Sequence, residues 1–416
     1  MRGSQVRRWV WAWTILLAAC GPGGPEGEES FHPESGEVPT LESETLGEQP
    51  VGGGLVAVPA RGEEVGLPRP VAPLFQPGFH QALRWSMSTS TTTFRLRVPV
   101  GRAGQRVRLA FRSGDGSMTL YRVTVARAGA NGALASTPVA VTFGGKTGTT
   151  VGARTRVESD PAPFKVNFRD ELAVTFEAQG ALAKSAIETL PGSYTRSGTY
   201  ATTTGPLGGS AWAVGVGLAT VDVEAAPTRA FVAIGDSITE GYITDHDDTR
   251  LAWPALAEAQ LGVPVVNAGV SGQGFYDELQ NLDQEVLALK NFTDCAILLG
   301  TNDLSSLELE GLKTRMGVLV SRLQPRCRVW VSTLLPKEKS NRGDYEVVKR
   351  DRLAFNAWIR ATYPNLIDLE AVTRQPNNVH LFIDGLEVDG IHPSAKGHEV
   401  MAAEVVRVLT AAGVKP

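Results

Sequence analysis

The chain has 416 residues, 42% of them hydrophobic, and a formal net charge of -4. That length fits two domains with additional segments, and the apolar content supplies a sizeable core. The weak acidic balance and the scattered basic residues exclude the electrostatic footprint of a nucleic-acid binder.

The first residues form a leader. Arg2, Arg7 and Arg8 make a positive head, and the apolar stretch Trp9–Ala19 is short of the ~20 residues that a transmembrane helix needs. The stretch ends Leu17-Ala18-Ala19-Cys20 and resembles a bacterial lipobox, which implies lipidation of Cys20. An ordinary signal peptide with an unrelated cysteine is the competing reading. The lipobox predicts an exported protein of the cell envelope, attached to a membrane by its N-terminal lipid anchor only. Residues 21–75 read as a disordered tether: Gly21 to Pro50 holds eight Glu and no Lys or Arg, too little apolar surface to offset chain entropy. Export permits a disulfide between Cys295 and Cys327, and two buried thiols fit equally well.

From 76 to 226 the pattern has period two. Phe94, Leu96, Val98 and Val100 alternate with Arg95, Arg97 and Pro99. Val107-Leu109-Phe111 and Leu120–Val125 follow as two strands around a Gly-rich turn, then 139–143 and 172–176. Regular short strands punctuated by Gly, Asn, Asp and Pro predict an all-β sandwich domain. Near 228 the pattern changes. Ala230–Ile234 is a continuous apolar run, as a strand buried on both faces requires, and similar runs recur at 263–266, 295–299, 329–334 and 366–368. Helical patterns lie between them, ending in a helix after Ser394. Strands alternating with helices predict an α/β domain over 227–416 with a parallel sheet. The joining segment, Glu224 to Arg229, is short; a packed pair of domains and a spacer or sugar-binding module both remain open.

Four blocks fall at the carboxyl ends of predicted strands, where ligands bind in such sheets. In Gly235-Asp236-Ser237-Ile238-Thr239-Glu240-Gly241, a strand-to-helix turn can present a serine hydroxyl. Asn267-Ala268-Gly269-Val270-Ser271-Gly272-Gln273 lets backbone N–H groups approach a substrate oxygen. Gly300-Thr301-Asn302-Asp303 offers an amide donor. Asp389-Gly390-Ile391-His392-Pro393 offers a base with an acid three residues before it, which a serine nucleophile needs. Taken singly, each block also fits a helix cap or an ordinary loop. Asp245-His246-Asp247-Asp248 has the composition of a metal cluster but lacks a spaced partner, and a solvated loop accounts for it better.

Together and in this order, the four blocks resemble the SGNH (GDSL-type) hydrolase family over about 230–412. The upstream strands, with Thr142-Phe143-Gly144-Gly145 and Ser159-Asp160-Pro161, are similar to a bacterial branch that places a β-sandwich before the catalytic domain. The resemblance implies a flavodoxin-like three-layer α/β/α domain and ester hydrolysis without metal or cofactor. Ser237 matches the nucleophile, and Asp389 and His392 match the acid and base. The N–H groups of Ser237 and Gly272 and the Asn302 amide match the oxyanion donors. O-acetyl or other short acyl esters of carbohydrate, small or polymeric, are the leading substrates. A lipase or lysophospholipase is the enzymatic rival, and an inactive carbohydrate-binding surface lipoprotein is the rival outside catalysis.

Overall fold

The computed structural model describes residues 72–243, 247–341 and 343–414. Cys20, the tether up to residue 71, and Asp245 and His246 of the acidic loop lie outside the described residues.

The first part of the described chain is antiparallel. Its strands are β1 (Leu74–His80), β2 (Trp85–Val100), β3 (Val107–Arg127), β4 (Val139–Val141), β5 (Thr149–Val151), β6 (Arg156–Glu158), β7 (Asp170–Lys184), β8 (Tyr194–Ser197), β9 (Ser210–Ala211) and β10 (Leu218–Ala225). They pair in the order β1-β10-β3-β7-β2-β8-β9, with β4, β5 and β6 each on β3. Alternation places Leu96, Val98, Leu109, Phe111, Val174 and Phe176 in one core. Arg95 breaks the expected polar-out rule. It is buried, and its guanidinium donates to Thr175 Oγ1 and to the carbonyls of Gly132, Thr203 and Gly205, so loops cover that face.

The two strands expected around the Gly-rich turn are one strand, β3. Its first half pairs with β10 and β6, its second half with β7, β4 and β5. The register against β7 shifts between Ser113 and Met118, so the glycines make a bulge that bends a continuous strand. The bent β3 is shared by the sheet that holds β1, β10 and β6 and the sheet that holds β2, β4, β5, β7, β8 and β9, so hydrogen bonding runs through the whole antiparallel region.

The second part alternates: β11 (Phe231–Gly235), α1 (Ser237–Glu240), α2 (Trp253–Leu261), β12 (Val265–Gly269), α3 (Phe275–Glu285), β13 (Asp294–Leu298), α4 (Leu309–Leu323), β14 (Arg328–Ser332), α5 (Tyr345–Thr362), β15 (Leu366–Ile367), α6 (Leu369–Thr373) and α7 (Ala395–Ala411). The strands are parallel and ordered β12-β11-β13-β14-β15. Counted from β11 this is the doubly wound order 2-1-3-4-5, whose crevice opens where the order reverses, at the carboxyl end of the first strand. That end is Gly235. Helix α2 packs on α7, while α3, α4 and α5 pack in succession.

The β region is packed on the α/β region through buried and half-buried polar contacts. Gln76 Nε2 donates to the carbonyls of Thr228 (3.1 Å) and Asn291 (2.9 Å). Arg102 reaches Thr228 Oγ1 at 2.6 Å, and Arg250 pairs with Glu171 of β7 at 2.8 Å. Both regions fall in one compact unit.

Cys295 is the second residue of β13, Cys327 immediately precedes the neighbouring β14, and the two form a disulfide across a sequence separation of 32. Closing a loop of that size is worth about 3–4 kcal/mol through the unfolded state. A urea melt run in strong reductant should therefore show a clearly lower midpoint than one run without it. Superimposable curves would remove the bond from the stability of this fold.

Candidate active site

Ser237 is the first residue of α1, directly beyond β11. The cap of that short helix is Asp236, whose Oδ1 accepts the Ile238 N–H at 3.0 Å. The hydroxyl of Ser237 is thereby left for other work. It lies 2.8 Å from His392 Nε2. His392 Nδ1 lies 3.0 Å from Asp389 Oδ2, and Asp389 Oδ1 accepts the N–H groups of Ile391 (3.0 Å) and His392 (2.9 Å). The tight Asp389–His392 turn thus folds the carboxylate back under its own imidazole. Burial opposes the Asp389 charge, but the hydrogen bonds from the backbone and ring of His392 outweigh it and hold the carboxyl below its usual range. Ser394 Oγ then caps α7 by accepting the Gly397 N–H at 3.1 Å, which anchors the turn. The Tyr242 ring packs on the His392 ring, with centroids 4.3 Å apart.

The loop after β12 lies against the Ser237 turn. A Cβ on Gly269 would sit 2.3 Å from the Glu240 backbone nitrogen, so only glycine permits this approach. Val270 N–H and Gln273 Nε2 both donate to the Gly235 carbonyl, at 3.0 and 2.5 Å. Glu240 Oε2 accepts the Ser271 N–H at 2.5 Å. Gly272 has φ +79°, and the Gln273 N–H closes the turn on Val270 O at 3.2 Å. Asn302 spends one of its two amide N–H bonds on Gln273 O, at 2.9 Å; the other remains for a ligand. As the first residue of its helix, Ser237 carries an N–H with no intrahelical acceptor.

Such an arrangement can shuttle a proton from Ser237 Oγ to an imidazole fixed in its tautomer by a carboxylate, beside donors for a developing oxyanion. A cavity of about 400 Å³ adjoins it, with Gly272, Asn302, Asp277, Asp303, Arg315 and Lys337 in its wall.

Several buried ionisable groups of the site carry no local sequence signal. Lys337, almost fully buried, donates from Nζ to Thr301 O at 2.7 Å and so holds the backbone next to Asn302. Burial pulls its ammonium down to about 8 against the charges of Asp236 and Asp303. Burial likewise pushes Asp236 and Glu240 up to about 7 and Asp303 up to about 6. Asp303 accepts the Phe275 N–H at the start of α3. Two other histidines take no part in this hydrogen-bonded series: His398 is buried in α7 and accepts the Trp253 N–H at 3.2 Å, and His380 lies in the loop before Phe382. Trp253 is itself core. Among the described residues, no group of three or more His, Cys, Asp or Glu is placed to hold a metal ion.

The α/β region is that of an ester hydrolase. The model of the GDSL-like Lipase/Acylhydrolase family matches residues 233–400, the stretch that carries all four blocks. Comparison with curated proteins returns no match. Among solved structures, the chain is similar to a protein assigned to the lipolytic G-D-S-L family from Desulfitobacterium hafniense DCB-2 (25% identity, TM-score 0.38, covering 44% of this chain and 100% of that one). It is also similar to an acetylxylan esterase from Geobacillus stearothermophilus (19%, 0.34, 44% and 94%) and to the aryl esterase of M. smegmatis (18%, 0.38, 44% and 99%). Scores of this size carry no weight for substrate or mechanism.

Proposed function

We propose that the protein is a serine acyl esterase that removes O-acetyl or other short acyl groups from carbohydrate. The observation behind this reading is the hydrogen-bonded series Ser237–His392–Asp389. Ser237 Oγ attacks the ester carbonyl while His392 Nε2 takes its proton, and Asp389 holds the imidazole and stabilises the imidazolium. The oxyanion is received by the N–H groups of Ser237 and Gly272 and by the Asn302 amide. Collapse expels the alcohol, which takes the proton from His392. Water, deprotonated by His392, then attacks the acyl-enzyme and releases the acid.

The cavity beside Gly272 and Asn302 supports a polar alcohol rather than a lipid. Its wall carries carboxylate, guanidinium, ammonium and amide groups, which would lose hydration without return against acyl chains. The test is a panel of p-nitrophenyl esters of rising acyl length, run beside acetylated oligosaccharides. Activity should peak at two to about four acyl carbons, extend to the sugar esters, and survive chelator. A maximum at long chains would overturn the substrate class.

A further inference from the structure

The β region contributes a residue to the far side of this site. Arg84 lies between β1 and β2, on the connection from His80 to Trp85. Its side chain crosses to α3 and is only 15% exposed. Nε and Nη2 grip the Glu285 carboxylate at 3.0 and 2.6 Å, and Nη2 also donates to Gln273 Oε1 at 2.8 Å. Arg112 of β3 reaches the same Glu285 at 2.9 Å. This carboxylate is almost fully buried, so its charge needs both guanidinium groups.

Gln273, itself 3% exposed, is the hub. An amide has a donor end and an acceptor end. Arg84 has no acceptor, so it can face only the oxygen, and that turns the Gln273 NH₂ toward the Gly235 carbonyl, the last residue of the nucleophile strand. The backbone oxygen of the same Gln273 orients the Asn302 amide. Gly272 immediately precedes it. One side chain thus ties the nucleophile strand, the glycine loop and the amide donor together, and its orientation is dictated from the other region.

We propose that Arg84 is a positioning residue of the oxyanion loop, so that the β region is an integral part of the catalytic unit rather than a separate module. This rests on reading Gly272 and Asn302 as oxyanion donors. Without Arg84, Gln273 Oε1 loses its charged partner and the 270–273 loop loses its tether. A displacement near 1 Å at such donors costs on the order of 10²-fold in rate. Because the donors act on charge that develops in the transition state, the loss falls on kcat more than on KM.

The full chain is tested as Arg84→Met, Arg84→Lys and Gln273→Leu. The last keeps the Arg84–Glu285 pair, and so separates loop positioning from stability. Arg84→Met and Gln273→Leu are each expected to lower kcat for a p-nitrophenyl acetate substrate by about tenfold or more, with KM changed little, and Arg84→Lys to recover part of it. Amide hydrogen exchange in the peptide spanning 268–276 should quicken in both. In an Asn302→Ala background, Arg84→Met should cost less than it does in the wild-type background, because one of the donors that it positions is already gone. Folded Arg84→Met and Gln273→Leu proteins with unchanged kcat and unchanged exchange would overturn the proposal. So would a full multiplication of the Arg84 and Asn302 effects. Failure of wild-type Ser237 to react with a fluorophosphonate would instead strike the esterase reading, while the exchange comparison would still decide whether Arg84 holds the loop.

Discussion

Ser237→Ala is expected to reduce ester hydrolysis by about 10⁴–10⁶ in kcat, the range seen when a triad member is removed. The fold should persist. Asp236 caps α1, so the serine hydroxyl has no capping duty, and among the described residues its side chain hydrogen-bonds His392 Nε2 at 2.8 Å. Losing that one bond shifts stability by about 1 kcal/mol. His392→Ala should lower kcat by a similar factor, and the double variant should be little worse than either single one, because the two groups act as a unit. Rate measurements on purified protein, with circular dichroism as the control for folding, decide this. A folded Ser237→Ala protein that keeps a tenth of the wild-type rate would exclude Ser237 as nucleophile.

Asn302→Ala is expected to lower kcat by about 10²–10³, the scale for losing one oxyanion donor. Its bond to Gln273 O engages one amide N–H and fixes the plane of the amide that carries the second. KM should change far less, since the donor meets charge that grows only in the transition state. Asn302→Asp should be at least as damaging, because it replaces a donor by an acceptor that carries negative charge. Steady-state kinetics on one short-chain ester give the answer. A raised KM with unchanged kcat would assign Asn302 to substrate binding.

Both experiments test residues that could be named from the chain alone, because their signals are local. Asp389 and His392 are three residues apart, and a tight turn before a capped helix is enough to bring carboxylate and imidazole together. Ser237 follows a run that reads as a doubly buried strand, and the structure has β11 there. The continuous apolar runs likewise fall on the strands of the parallel sheet, although their ends shift by a residue or two where loops continue the apolar pattern.

What the tertiary structure decided is of a different kind. It brought Ser237 and His392, 155 residues apart, within hydrogen-bonding distance, by setting β11 and the loop before α7 at the same end of the sheet. It ran β3 through a glycine-rich stretch that reads as a turn, since glycine permits a bulge as readily as a reversal, and only the partner strand β7 selects between them. Nothing in their neighbours along the chain marks Arg84, Glu285 and Lys337 as covered. Their burial depends on another region supplying the compensating partner: Glu285 for Arg84, Arg84 and Arg112 for Glu285, the Thr301 carbonyl for Lys337. Apolar periodicity records which face of an element is covered. The pairing of a buried charge is settled only when two distant elements meet, because its cost is offset by that one partner and not by the sequence around it.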